Sequence, residues 1–321
     1  MAEVMIKILE LINEEYTLDD ISLVTGLSYR QIYNYLTILS NKGFEFERKY
    51  YSTGDILYRL RKELVTSNND INLYTGSDEK VFRALLISDL HLGNKLQRVD
   101  YINLIFEYCI MENIHIILCG GDFIDGYLGR DKLYSDGEEQ IKQALSDYPV
   151  IRNILTFTVL GDHDYSVLNS TGQNFMRVIN NYRHDIIPVG YGQGSINLKN
   201  DKVYLCHNLS RYKINLPAIG GKSIVFSGHS HKMQTFMRDD NYLQLSIPLL
   251  CDLYDDNRLP GAVKAELTFN NGVIIKGVFE QLAIINNDIF EVGKISVDLG
   301  AGKKQNQQVQ LEDKPKRKIL I

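Results

Sequence analysis

Apolar positions recur at helical spacing over the first forty residues and then switch to alternation. Met5, Ile6, Ile8, Leu9, Leu11 and Ile12 include helix-face intervals and predict a first helix near residues 2–15. Thr17 with Asp20 reads as an N-cap with an acidic third position, opening a short second helix that Gly26 ends. Ser28 caps a third helix, SYRQIYNYLTILSNKG, closed by Gly43. FEFERKYYSTGDILYRL then reads as strand, glycine-containing turn and strand. Residues 63–80 are polar and poorly periodic, as expected of a linker, and residues 81–293 alternate strands with helices. The last stretch, 294–321, is polar without a sustained period and is expected to be a flexible tail.

Helix, helix, turn, helix and hairpin over residues 1–62 resemble a winged helix-turn-helix domain. In such domains the third helix enters the major groove and the hairpin approaches the DNA backbone. The resemblance makes Arg30, Gln31, Asn34 and Tyr35 on the third helix, with Arg48 and Lys49 on the hairpin, the candidate nucleic-acid contacts. Charge weighs against it, since residues 1–62 hold eight Lys/Arg against nine Asp/Glu. A homodimer or protein-partner module is therefore the competing reading.

Several strands of the larger region end in chemistry. VFRALLISDLHLG carries Asp89 and His91, IHIILCGGDFIDG carries Asp122, and ILTFTVLGDHD carries Asp162, His163 and Asp164. KVYLCHN ends in His207, and KSIVFSGHSH in His229 and His231. Strand–loop junctions are where α/β folds gather functional side chains from distant positions. Residues two apart on a strand share a face, so Asp89 with His91, and His229 with His231, are expected to point together. Carboxylates with neutral imidazoles suit Mn²⁺, Fe, Zn²⁺ or Ni²⁺ better than Ca²⁺. Two such ions about 3.5–4 Å apart need a bridging carboxylate, and water held between them ionises near neutral pH to attack phosphorus. Five of the seven histidines fall on these positions. Of the other two, His115 between isoleucines reads as core and His184 as surface.

The ordered series SDLH, GDFID, GDHD, CHN and GHSH resembles the signature of calcineurin-like metallophosphoesterases, over about residues 81–285. The resemblance implies an α/β fold, a β-sandwich flanked by helices, beside the small N-terminal winged-helix domain. It implies that Asp89, His91 and His231 hold one metal, that Asp122 bridges, and that Asp162, His207 and His229 complete the second site. His163 would contact the substrate phosphate, with Asp164 orienting its ring. Two divalent ions are implied, Mn²⁺ first among them. Position 162 departs from the family, which normally has Asn there. Two divalent ions with Asp89 and Asp122 leave a formal +2, which Asp162 lowers to +1.

Composition narrows the function without selecting a substrate. The chain has 321 residues, 44% hydrophobic and 23% charged, with no apolar run long enough for a membrane span and no secretory pattern at its start. Its four cysteines lack metal spacing, as expected of reduced thiols in a cytoplasmic protein. The net charge of −5 gives no global attraction for nucleic acid, though Lys314, Lys316, Arg317 and Lys318 form a basic patch near the end. A phosphodiesterase or nuclease acting on DNA, similar to the repair-exonuclease branch of the family, is the expected function. The alternatives are a phosphoesterase for a small nucleotide or phosphoprotein, and a DNA-binding regulator with a weak metal site.

Overall fold

The structure, a computed structural model, describes residues 2–61, 71–208, 223–239, 242–252, 258–299 and 317–319. Three helices open it: α1 (Ala2–Asn13), α2 (Leu18–Thr25) and α3 (Tyr29–Asn41). Thr17 and Ser28 both act as N-caps, each in a reciprocal capping box with Asp20 or Gln31, and Gly26 ends α2 at φ 67°. The strands β1 (Phe46–Tyr51) and β2 (Ile56–Leu60) follow as an antiparallel hairpin, then β3 (Ile71–Tyr74). Residues 63–70 of the expected linker lie outside the described residues. The next four form a strand instead, with β3 lying parallel to β1, Tyr50 opposite Leu73.

The larger region continues with β4 (Val81–Ile87), α4 (Val99–Met111), β5 (Ile116–Cys119), α5 (Gly137–Asp147), β6 (Leu155–Leu160), α6 (Asp162–Thr171), α7 (Phe175–Tyr182) and β7 (Ile186–Tyr191). Then come β8 (Gln193–Leu198), β9 (Asp201–Cys206), β10 (Ser223–Ser227), β11 (Gln234–Asp239) and β12 (Tyr242–Ser246). Long antiparallel strands close the chain, β13 (Gly261–Asn270), β14 (Val273–Ile285) and β15 (Asp288–Asp298), with the short β16 (Arg317–Ile319). The expected tail is corrected at both ends, because residues 294–298 belong to β15 and β16 pairs with it. Residues 300–316, including Lys314 and Lys316, lie outside the described residues.

Two eight-stranded sheets result, ordered β11-β12-β10-β9-β8-β3-β1-β2 and β16-β15-β14-β13-β4-β5-β6-β7. In the second, β4 to β7 run parallel, which is why their sequences are apolar on both faces. One core fills the space between the sheets, with Phe82, Phe157, Phe226 and Phe279, and runs without a break into Ile8, Ile32 and Leu36 of the N-terminal helices. A second core packs Ile102, Ile105, Ile141 and Phe175 of the helices against Leu85, Ile117 and Ile186.

The N-terminal helices and hairpin are thus joined to the rest by sheet and core. Polar contacts complete the junction. The Tyr58 hydroxyl lies 2.8 Å from His184 Nδ1, Tyr29 is 3.1 Å from Asn153 Oδ1, and Arg152 donates to Asp19 at 2.6 Å. His184, expected at the surface, is buried beneath this junction, where desolvation and the Arg48 charge hold its pKa well below the usual imidazole value. Its neighbours Arg183 and Asp185 form a buried pair at 2.7 Å. His115 is half-buried, its Nδ1 2.9 Å from the Asn153 carbonyl.

Candidate metal centre

Every predicted metal donor follows the C-terminal end of a strand, four of them after strands of one sheet and three after strands of the other. Asp89, Asp122 and Asp162 lie past β4, β5 and β6, while His207 and the pair His229 and His231 lie past β9 and β10. The loops after β4 and β5 run side by side: Asp89 donates its backbone N–H to Gly121 O at 2.9 Å, and His91 to Asp122 O at 3.0 Å. The expectation that Asp89/His91 and His229/His231 share a strand face is corrected. All four, with Asp122, sit beyond the strands in the left-handed region, at φ 54°, 46°, 64°, 57° and 50° respectively. Strain of this kind costs about 1–3 kcal/mol per residue and collects at functional sites.

The side chains converge in two groups. Asp89, His91 and His231 bring one donor atom each within 4.8 Å of one another, and so do Asp122, His207 and His229. Asp122 joins the groups, its Oδ2 lying 3.1 Å from His207 Nε2 and 3.8 Å from His91 Nε2. Backbone N–H groups aim both carboxylates: His229 donates to Asp89 Oδ2 at 3.1 Å, and His163 donates to Asp122 Oδ1 at 3.0 Å. His207 Nδ1 lies 2.9 Å from the Gly120 carbonyl, which fixes the proton there and leaves Nε2 for a metal.

Burial disfavours the charged form of all these groups, but their mutual attraction prevails in four of them. Asp122 and the Gly120 carbonyl push His207 up to about 10 despite its burial, and His91 is raised against desolvation by Asp125, Asp122 and Asp89. Against the same desolvation, His207 draws Asp122 down and His231 draws Asp89 down. His229 is the exception, lowered by burial and by His207.

The donor set fits a pair of divalent ions. His91 Nδ1 and Nε2 and His207 Nε2 are buried without a well-aligned hydrogen bond and face the Asp125 and Asp122 carboxylates at 3.3 Å, 3.8 Å and 3.1 Å, an arrangement that a cation held between them would complete. Nitrogen and carboxylate oxygen without sulfur is the chemistry of Mn, Fe or Zn.

The structure separates the roles of the remaining residues. His163 stands beside the cluster, its ring 4.5 Å from that of His91. Asp164 does not orient it. That carboxylate is buried and accepts N–H bonds from Phe123 at 3.1 Å, Ile124 at 2.8 Å and Gly161 at 2.8 Å, clamping the loop after β5 to the turn after β6. Asp125 supports His163 instead, with its carbonyl 2.7 Å and its carboxylate 3.7 Å from His163 Nδ1, and its carboxylate also lies 3.3 Å from His91 Nδ1. The missed signal was the second aspartate of GDFID. Asp162 opens α6 half-buried and acts on His229 through its charge, outside the two tight donor groups.

The nucleic-acid candidates divide differently. Arg30 and Asn34 on α3 are exposed. Gln31 is exposed but committed to the Ser28 capping box, and Tyr35 packs against the core. Arg48 donates to the Asn180 carbonyl at 3.1 Å, and Lys49 lies 5.7 Å from the centre of the Tyr74 ring. The hairpin turn is docked as well, because Gly54 is buried so closely that a Cβ there would meet Asn153 O at 2.0 Å. Asn153 precedes β6 and His184 precedes β7, whereas the metal donors follow the strands. The N-terminal helices and hairpin therefore meet the parallel sheet at its opposite pole, about 20 Å away along a six-residue strand.

A family model described as calcineurin-like phosphoesterase matches residues 82–239. Over those residues, just under half of the chain, the sequence is similar to the calcineurin-like phosphoesterases. An uncharacterized metallophosphoesterase of Helicobacter pylori is 22% identical over 183 residues, which are 51% of this chain and 48% of that protein. The chain thus spans about half the length of that relative. Among solved structures, the phosphoesterase Yfce of E. coli aligns at 15% identity and TM-score 0.42, covering 68% of this chain and all of that one (100%). Vacuolar protein sorting 29 of Cryptosporidium parvum aligns at 16% and 0.41, with 68% and 100% covered. No helix among the described residues is long and apolar enough to cross a membrane.

Proposed function

We propose that this chain is a dinuclear-metal phosphoesterase that hydrolyses phosphodiesters, Mn²⁺ being the ion to supply first. The observation that carries the reading is the pair of three-donor groups joined at Asp122 with His163 alongside. Two divalent ions, when bound, supply charge neutralisation at the phosphate and activation of water. The protein's own part is to hold the ligands in place and to manage a proton. His163 Nδ1 is engaged by the Asp125 carbonyl, so Nε2 is the atom placed to hold a proton for the departing oxygen. Asp125 keeps that ring and His91 in register, and Asp164 keeps the two loops together.

DNA is the substrate we put first. It is supported by the N-terminal domain, which we read as a winged helix-turn-helix, and by the exposed Arg30 and Asn34 on α3. The second reading, a small phosphodiester substrate with the N-terminal domain serving assembly, is favoured by the docked hairpin and by the separation of α3 from the metal centre.

The test is hydrolysis of bis-p-nitrophenyl phosphate with Mn²⁺, then of single- and double-stranded DNA. Cleavage of all three is the expected result. Cleavage of the small diester alone selects the second reading, and loss of neither activity in excess chelator overturns both.

A further inference from the structure

We infer that Ser166 is a positioning residue for His163: its hydroxyl ties the first turn of α6 to the loop after β5 and so sets where the His163 ring stands beside the metal centre. The inference rests on the phosphoesterase reading above, in which His163 acts on the substrate, and names the residue through which the fold holds it there.

Ser166 is buried on α6, three residues past His163. Its Oγ donates to the His163 carbonyl at 2.6 Å and accepts the Tyr127 N–H at 2.7 Å. The first bond is common for serine in a helix, where the hydroxyl folds back on the preceding turn. The second is not local, because Tyr127 lies thirty-nine residues earlier, two past Asp125. One hydroxyl thus joins the backbone of His163 to the loop that carries Asp125, whose own carbonyl lies 2.7 Å from His163 Nδ1. Gly126 sits between these two ties at φ 57°, where a Cβ would meet His163 O at 2.1 Å and Ser166 Oγ at 2.3 Å. The two segments are packed backbone to backbone at that point.

The loop end of the tie is itself fixed. The Tyr127 carbonyl accepts from Lys132 Nζ at 3.1 Å, the Tyr127 hydroxyl accepts the Gly137 N–H at 3.0 Å, and Asp125 donates its N–H to Leu92 O at 2.8 Å. Leu92 follows His91, so this loop is in register with the metal donors. His163, by contrast, stands in the first turn of its helix, where backbone N–H groups have no intrahelical partner. Its own N–H goes to Asp122 Oδ1 at 3.0 Å. Three ties therefore hold His163, at its N–H, its carbonyl and its ring nitrogen. Those at the N–H and the ring end on Asp122 and Asp125, which also face the metal-ligand histidines. The tie through Ser166 involves neither, so removing it moves the ring without touching a metal donor.

The experiment uses the full chain loaded with Mn²⁺ and the variants Ser166→Ala, His163→Ala and the two combined. A misplacement of about 1 Å can cost about 100-fold in rate; with two of three ties left, Ser166→Ala should lower kcat for bis-p-nitrophenyl phosphate by about tenfold and leave KM and metal content unchanged. In the His163→Ala background the same change should alter kcat by less than about twofold, because Ser166 acts through the ring that is missing. Ser166→Cys, close to serine in shape with a weaker donor and acceptor, should lose less than the alanine variant and takes its place if that variant does not fold. In the metal-free chain carrying isotope-labelled histidine, the ring resonances of His163 should shift in Ser166→Ala while those of His115 stay.

The inference is overturned if Ser166→Ala keeps full kcat, lowers kcat equally with and without His163, sheds metal, or leaves the His163 resonances unmoved. If the unaltered chain hydrolyses no ester, the phosphoesterase reading falls, and the resonances decide the inference separately: shifted signals uphold Ser166 as the support of the ring, and unmoved signals overturn it.

Discussion

Replacing Gly161 with alanine should disable the metal centre without disturbing the fold around it. Gly161 has φ −84° and ψ −167°, an extended backbone open to any residue, so the substitution carries no conformational penalty. The added methyl has no room, however. It would lie 2.2 Å from Asp122 Oδ1, 2.7 Å from Asp122 N and 2.8 Å from His207 Cγ. Non-bonded heavy atoms settle at about 3.5–4.0 Å, so the loop carrying Asp122 must retreat by about 1 Å. Metal–ligand distances tolerate only about 0.2 Å. Because Asp122 joins both donor groups, the displacement reaches both sites. Disturbing a metal's outer support alone costs about 10–100-fold in affinity, so about 100-fold, or about 2.7 kcal/mol, is the expected loss here. Competition with a chromophoric chelator measures it, and circular dichroism of the metal-free variant verifies that the chain still folds. A variant that folds and binds both ions as tightly as the unaltered chain would refute the claim that Asp122 is held by close packing at Gly161.

Three further outcomes are expected. Asp162→Asn should weaken metal binding and raise the affinity for phosphate, because a negative charge beside His229 is removed; unchanged affinities for both would show that this charge has no part in the site. Tyr58→Phe leaves the buried His184 Nδ1 without its partner and should cost about 1–3 kcal/mol; in calorimetry the whole protein should melt in one transition at lower temperature, whereas two separate transitions would show that the N-terminal domain is independent. In the metal-free protein the raised pKa of His207 contributes stability that is full below the usual imidazole value and is lost as pH rises through about 10. Metals must displace that proton, so their affinity should increase with pH across this window, and a pH-independent chelator titration would contradict the assignment.

Much of this architecture is legible in the sequence, and the exceptions share a cause. The capping residues Thr17 and Ser28, the hairpin and the metal donors are local signals: a cap sits beside its helix, and a ligand follows its strand. What fails depends on partners far along the chain. INLY at 71–74 reads as linker because four residues make no strand by themselves, yet β1 and β8 complete it on either side. His184 reads as surface because the burial of its neighbour Arg183 is paid for by acceptors elsewhere, the carbonyls of Tyr148 and Pro149 at 2.8 Å. Asp125 takes the part expected of Asp164 because chain proximity to His163 does not decide contact. Asp164, one residue away, turns inward to three backbone N–H groups, and Asp125, thirty-eight residues away, meets the ring. The left-handed conformation of five donors is invisible to strand periodicity, since it begins where the strand ends.

Anomalous scattering from crystals grown with Mn²⁺ tests the central claim most directly. Two peaks about 3.5–4 Å apart are expected, one held by Asp89, His91 and His231, the other by His207 and His229, with the Asp122 carboxylate between them. A single peak, or two peaks that share no contact with Asp122, would contradict the account.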